Sequence, residues 1–305
     1  MYGPSMTESD TGDALDAVGV ARVIDWYADA ARELPWRDAG VSPWGVLISE
    51  IMLQQTPVVR VLPRWLDWME RWPSPADLAE APTADVLRAW DRLGYPRRAL
   101  RLQECARAIV GQHGGSVPSD EQALLGLPGI GPYTAAAVMA FAFGERTVVL
   151  DVNVRRVLAR AVDGVDGPAG SVRRAEREAA AAILPLDRAE AAAWNQAVME
   201  LGALVCTARS PRCGECPLAD RCAWLAAGRP ASTVPRRVQP FAGTDRELRG
   251  RIMALLRADG CAEMAAIRAL PAVDAEQTER CVRSLVADGL AVCTGPDLTD
   301  GLRLP

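Results

Sequence analysis

The sequence contains no lysine; all 34 of its basic residues are arginine. It has a single histidine, His113, in the stretch GQHGG, which reads as a loop. Each absence closes a class of chemistry. Without lysine no side chain can form a Schiff base, so covalent amine catalysis is left to the N-terminus alone. With one loop histidine, a Ser-His-Asp triad, a histidine-ligated metal or a histidine general base has almost nothing to stand on. Long hydrophobic runs are missing too. The longest, near Ala135 to Phe143, is too short to span a bilayer. The start, MYGPSMTESDTGDALD, is polar and acidic, unlike a secretory signal. The expectation is a soluble, cytoplasmic chain with no membrane partner.

What is present is a chain of 305 residues, half of them apolar, enough for a core shared among two or three domains. The net charge of −5 is unevenly spread. From Arg209 to Arg257 ten arginines face only Glu215, Asp220, Asp245 and Glu247. A second basic cluster holds Arg155, Arg156, Arg160, Arg173, Arg174 and Arg177. Such patches form solvated faces or nucleic-acid contacts. Apolar residues recur at three and four in ALDAVGVARVIDWYADAAREL, WGVLISEIMLQQ, VVRVLPRWLDWMERW, ADVLRAWDRL and RALRLQECARAIVGQ, which predicts successive helices. Thr83 reads as one N-cap, and Ser119 or Asp120 as another. No alternating strand stands out before residue 225. Residues 225 to 243, rich in Pro, Gly and Arg, read as a linker. The remainder reads as three short helices and a hairpin, the outline of a winged helix. The fold class is therefore all-α with a small winged-helix-like C-terminal domain. The expected domains are 1–40 with 145–225, then 41–144, then a linker at 226–244, then 245–305.

Three local patterns carry chemistry. In LPGIGPYTAAAV, Gly129 and Gly131 permit positive φ and a close approach by another group. A helix starting at Pro132 or Tyr133 would aim unpaired N–H groups and a positive dipole end at that corner, which suits an anion. A ligand-free helix corner fits equally well. In CTARSPRCGECPLADRC, Cys206, Cys213, Cys216 and Cys222 are spaced C-x6-C-x2-C-x5-C, so four thiolates can close on one centre, zinc or iron–sulfur. Cys105, Cys261, Cys281 and Cys293 lie singly on apolar faces and read as core fillers. Two carboxylates complete the set. Glu50 interrupts the apolar helix WGVLISEIMLQQT, on a face with Val46, Leu47 and Leu53, and burial would raise its pKa. Asp151 precedes VNVRRVLAR and reads as an N-cap, a role compatible with catalysis. A protonated Glu beside an ionised Asp is the pair that cleaves glycosidic bonds.

The order SEIMLQQT, LGY, LPGIGPYTAAAV, LDVNVRRVLAR, WNQAVMELGALVC and four cysteines resembles the helix-hairpin-helix DNA glycosylases with an iron–sulfur loop, most closely the A/G-specific adenine glycosylases of the MutY family. The resemblance spans about residues 20 to 225. It implies base excision repair, with adenine removed from double-stranded DNA at A:8-oxoguanine or A:G mispairs by a monomeric enzyme. It implies a 4Fe-4S cluster on the four cysteines, holding the Arg209–Arg212 loop against DNA phosphates. The hairpin with Gly129 and Gly131 would grip a phosphate. Glu50 would protonate the base and later activate water, and Asp151 would stabilise the cationic sugar. Tyr133 and Asn153 would position these two. Trp36 and Arg37 of LPWR, with Gln196, resemble adenine-pocket residues, while Gln55 and Tyr95 match residues that enter the duplex. In the related endonuclease III branch a catalytic lysine stands where this chain has Tyr133, so a monofunctional enzyme is expected. Two departures stand out. A second tyrosine after Tyr95 is replaced by Pro96, and residues 245 to 305 do not resemble the Nudix-like domain that many members carry. A same-fold glycosylase for T or U opposite G, and a non-catalytic iron–sulfur DNA-binding protein, are the alternatives.

Overall fold

Short polar residues before apolar runs set the helix starts, because their side chains satisfy N–H groups that the first turn leaves open. The computed structural model describes residues 15–168, 170–232, 241–296 and 300–305. Its helices in the first half are α1 (Ala17–Ala30), α2 (Pro43–Leu53), α3 (Val58–Arg71), α4 (Pro75–Glu80), α5 (Thr83–Trp90), α6 (Arg97–His113), α7 (Glu121–Gly126) and α8 (Pro132–Phe143). Then come α9 (Val152–Ala161), α10 (Arg174–Ile183), α11 (Arg188–Leu204) and α12 (Ala223–Ala226). The C-terminal module runs α13 (Asp245–Asp259), β1 (Cys261–Glu263), α14 (Met264–Arg268), α15 (Ala275–Ala287), β2 (Val292–Cys293) and β3 (Gly301–Arg303). Its strands form an antiparallel sheet in the order β1-β3-β2, with Arg303 opposite both Cys261 and Val292. This helix–strand–helix–helix–hairpin order is the winged-helix-like arrangement expected. No strand occurs before it among the described residues.

The chain divides into two compact units, Met1–Arg37 with Ala135–Arg236, and Asp38–Thr134 with Arg237–Pro305. In the first unit α11 packs against α1 and α9. Its core gathers Val20, Val23, Val154, Val157, Trp194, Val198 and Leu201. In the second, α6 packs against α4, α5 and α2. Tryptophans dominate that core: Trp68 meets Trp72 and Trp90 edge-on, at 4.9 and 5.5 Å between centroids. Trp65 donates to the Gly45 carbonyl at 2.9 Å, and a Cβ on Gly45 would press on Val41 and Trp65. Such ring pairs bury large apolar areas; the Trp90 indole donates to the Gly94 carbonyl at 2.9 Å, whereas the buried Trp68 N–H has no acceptor among the described residues.

Several expectations are corrected. Thr83 is the first residue of α5, not its cap; Pro82 occupies that position and the Thr83 hydroxyl bonds Gln103. Asp120 does cap α7, accepting from the Ala123 N–H at 2.8 Å. His113 ends α6 instead of lying in a loop, because the left-handed residue that stops the helix is Gly114. Cys105 and Cys281 are buried fillers, but Cys261 is exposed on β1 and Cys293 is half-buried. The second arginine cluster is partly internal. Arg155 pairs with Glu176 at 2.5 Å, and Arg160 pairs with Asp166 at 2.7 Å and lies over the Trp224 ring. The linker expected at 226–244 begins directly after α12, and its stretch 233–240 lies outside the described residues. No helix among the described residues is long and apolar enough to cross a membrane.

Candidate functional site

In the unit containing Asp38–Thr134, α2 is buried from Trp44 through Met52, so it has no solvent face on which a charge would be cheap. Glu50 sits within that run, only 6 % exposed, and Leu53, expected to share its face, is already half-exposed. The Tyr133 hydroxyl donates to Glu50 Oε2 at 3.0 Å. Tyr133 is the second residue of α8, so the turn that starts this helix also delivers the phenol to the acid. Pro132 occupies the first helical position, where its missing N–H costs nothing.

The turn between α7 and α8 is made by Leu127–Gly131. Gly129 has φ +81°, and a Cβ there would come within 3.0 Å of Arg101 Cβ, so glycine is required. Gly131, expected to share that conformation, does not adopt positive φ; a Cβ on it would meet nothing within 4 Å. Leu127 and Ile130 anchor the turn in the core, leaving the glycine backbone outward. The N-terminus of α8 thus presents its open N–H groups beside an uncluttered surface, an arrangement that takes an anion.

Two loops in the same unit carry residues in strained backbone conformations. Gln55 (φ 55°) and Tyr95 (φ 47°) are both left-handed although neither is glycine, and both are exposed. Arg98, not anticipated from the sequence, ties the two loops together. One terminal nitrogen donates to the carbonyls of Ile51, Met52 and Gln54 at 2.8, 3.2 and 2.7 Å, which closes the C-terminal end of α2. The other reaches the Thr56 hydroxyl at 3.0 Å and the carbonyls of Leu93 and Gly94. Burial lowers the Arg98 pKa to about 10, and the guanidinium remains charged at neutral pH. Pro96, in place of a second aromatic, leads directly into α6.

In the other unit Asp151 caps α9. Its Oδ1 accepts from the N–H groups of Asn153 and Val154 at 2.9 and 2.7 Å, and Oδ2 accepts from the Asn153 amide at 2.7 Å. Burial pushes its carboxyl above the ordinary value of 3.8, against the pull of these bonds and of Arg156. Arg156 orients the network. It donates to Asn153 Oδ1 at 2.8 Å, to the Gly202 carbonyl at 2.6 Å and to the Cys206 carbonyl at 2.7 Å. Gly202 allows this, since a Cβ there would lie 2.7 Å from Asn153 Cβ. The sequence offered Arg156 only as one of a basic cluster and gave no signal for Gly202, because their contact joins residues far apart in the chain.

Trp36 is buried in a short turn, Pro35–Arg37. Arg37 donates to Glu200 Oε2 at 2.9 Å and lies over the Tyr27 ring. Arg32 forms a two-pronged bond to Glu200, at 2.7 Å to each oxygen. Burial alone would raise the Glu200 carboxyl, but the bonds from Arg32 and Arg37 outweigh it and hold the group at about 2. Gln196, one turn before Glu200 on α11, accepts from the Tyr27 hydroxyl at 3.1 Å. Arg37 and Gln196 are thus drawn to one region around Tyr27 and Glu200, with Trp36 preceding Arg37 in the same turn. Glu200 itself was missed.

Cys206, Cys213, Cys216 and Cys222 line one pocket together with Arg160, Val205, Pro211, Ala219, Trp224 and Leu225. Among the described residues no three Cys, His, Asp or Glu side chains converge tightly enough for a single ion. Four sulfur donors, with no histidine or carboxylate among the residues lining the pocket, are a donor set that suits an iron–sulfur cluster. Burial, with the charge of the other three cysteines, pushes the Cys216 thiol up to about 12. Arg160 also donates to Cys206 Sγ at 3.5 Å, a bond suited to thiolate. Arg209 and Arg212 lie exposed on the same loop.

Residues 48–179 match the HhH-GPD superfamily base excision DNA repair proteins, and residues 206–222 match the iron-sulfur binding domain of endonuclease III. The chain is 53% identical over 278 residues to an adenine DNA glycosylase of Mycobacterium tuberculosis (strain ATCC 25618 / H37Rv), covering 89% of this chain and 90% of that protein. It is 50% identical over 276 residues to an adenine DNA glycosylase of Mycolicibacterium smegmatis, covering 90% and 92%. A solved thermostable thymine-DNA glycosylase superposes with a TM-score of 0.62 at 28% identity, covering 69% of this chain and 96% of that one.

Proposed function

The chain belongs to the adenine DNA glycosylase family, and from that membership we propose that it hydrolyses adenine from A:8-oxoguanine and A:G mispairs in duplex DNA without cutting the strand. It is a base excision repair glycosylase that acts on adenine, binds DNA and carries a 4Fe-4S cluster. The mispair, the monomeric state, the cytoplasmic location and the residue roles are the proposal. The observation that carries it is the buried Glu50 bonded to Tyr133, the position where a strand-cutting relative would need lysine.

The chemistry follows from what each group can do. Glu50 donates its proton to a ring nitrogen of the flipped adenine, and the bond between C1′ of the sugar and the base breaks with its electron pair leaving on the base. Positive charge develops on the sugar, where the Asp151 carboxylate stabilises it. Water then attacks C1′ and gives a proton to the Glu50 carboxylate, which restores the acid. Tyr133 orients Glu50, and Asn153, itself held by Arg156, orients Asp151. Glu50 and Asp151 belong to different units, and their action on one nucleotide is part of what we propose. Trp36, Arg37 and Gln196 line the adenine pocket, and Gln55 and Tyr95 enter the duplex where the base has left. Gly129 and Gly131 bring backbone N–H groups to a phosphate.

Cys206, Cys213, Cys216 and Cys222 hold the cluster, which supplies a rigid, charge-bearing anchor for the loop rather than a reactive centre. Arg209 and Arg212 then face DNA phosphates from a fixed position. The test is a panel of duplexes carrying A opposite 8-oxoguanine, A opposite G, T opposite G and U opposite G, each treated with hot alkali after incubation. Alkali-dependent cleavage at adenine alone, with no prior nicking, is expected. Release of thymine or uracil, or nicking before alkali, would contradict the reading.

A further inference from the structure

Rings and guanidinium groups alternate from the core to the surface beside Tyr95. The Arg98 guanidinium lies 5.1 Å from the fully buried Trp90 ring and 5.8 Å from the Tyr95 ring. On Tyr95 a second guanidinium, that of Arg246, lies 5.2 Å from the ring centroid, and the same group lies 5.3 Å from the Phe241 ring. Tyr95 is 44 % exposed and Phe241 52 %, so the outer end of this ladder opens to solvent. Arg246 and Phe241 come from the C-terminal module, which shares one compact unit with the Tyr95 loop.

The module is seated there by more than stacking. Asp288 at the end of α15 takes Arg97, two residues past Tyr95, at 3.3 Å, and Arg249 of α13 at 2.6 Å. The turn that carries Phe241 into α13 is also fixed, since the Thr244 hydroxyl donates to the Phe241 carbonyl at 2.7 Å. Arg246 therefore reaches Tyr95 from an ordered base. Two planar cations near one ring narrow the positions the ring can take, at a loop tip already held in a strained conformation.

We propose that the C-terminal module is a working part of the wedge: Arg246 is a positioning residue that clamps the Tyr95 ring, and with Phe241 it extends that ring into a stacking surface for nucleotides unstacked by base flipping. The ligand is the disrupted duplex itself, recognised by π-faces and not by base edges. The inference rests on the reading of Tyr95 as the residue that enters the duplex. It gives the winged-helix-like module a task distinct from groove reading.

The test uses the full chain and a duplex with 2-aminopurine next to the target adenine, whose fluorescence rises when stacking is lost. Arg246→Ala is expected to lower both the fluorescence rise and single-turnover excision by about threefold, the size of an exposed cation–π contact, with the unfolding midpoint unchanged. Arg246→Lys keeps the charge but not the planar face, so it restores only part of the loss. Phe241→Leu removes a stacking face without loosening the clamp, so it increases the fluorescence rise and leaves excision unchanged. In a Tyr95→Ala background, Arg246→Ala has no further effect, because the ring it acts through is gone. An additive loss in that background, or full restoration by lysine, would mean that Arg246 serves as a phosphate charge and would overturn the proposal. If the wild-type chain released no adenine, the proposed function would fail while the fluorescence comparison still read the wedge.

Discussion

Glu200 and Glu50 are both glutamates buried in helices, at 0 % and 6 % exposure, yet one is surrounded by positive charge and the other receives a phenol. Arg32 and Arg37 hold Glu200 at about 2, so at neutral pH it is an anion with nothing to give. A group in that state can anchor LPWR to α11, and it cannot act as an acid. Tyr133 gives Glu50 a hydrogen bond from a neutral phenol, which orients the carboxyl. Burial by itself therefore does not mark a catalytic carboxylate. In the proposed mechanism the partner's charge separates the two roles, an anion held by arginines at Glu200 and a proton donor at Glu50.

Substitutions can break this comparison from either side. Glu50→Gln preserves shape and burial while removing the proton, and should lower single-turnover adenine excision by about 10²–10⁴-fold with folding intact. Glu200→Gln should act mainly on stability. Leaving Arg32 and Arg37 without their anion should cost about 3–5 kcal/mol, read as a lower midpoint in urea at an unchanged slope. The pH dependence of that difference has a defined sign. The folded pKa of Glu200 lies below its ordinary value of 4.5, so its contribution is complete above that value and is lost as pH falls toward about 2. The gap in stability between wild type and Glu200→Gln should therefore close on acidification. Tyr133→Phe should have the smallest effect. One neutral hydrogen bond is worth about 0.5–1.5 kcal/mol, which places the loss of excision at roughly tenfold or below. A larger loss would give the phenol a direct part in proton transfer.

Sequence reasoning reached Glu50 because a charge inside WGVLISEIML violates the helix pattern, and it reached Asp151 because an Asp before an amphipathic run is a cap signal. The four cysteines were legible from spacing alone, and the helix start was narrowed to Pro132 or Tyr133, of which the structure has Pro132. Glu200 was hidden because its partners stand more than 160 residues earlier: Arg32 looks like an ordinary solvated arginine, and Arg37 was noticed only as a resemblance to a pocket residue. Arg98 was hidden in a run of arginines, of which it alone turns back to bind the ends of two loops. Gly202 gave no signal within its helix, since its need arises only where α9 crosses at Asn153. His113 and Thr83 were misplaced by local turn chemistry, as helix ends shift by a residue when a neighbouring Gly or Pro takes the capping position. Local rules located the groups that break a pattern. Groups that complete a pattern from a distance needed the fold.

The most direct test of the central claim is a crystal structure of the Glu50→Gln variant bound to an uncleaved duplex carrying adenine opposite 8-oxoguanine. A flipped adenine is expected, with a ring nitrogen within about 2.6–3.2 Å of the residue-50 side chain and Asp151 beside the sugar of the same nucleotide. A flipped adenine out of reach of either side chain would contradict it.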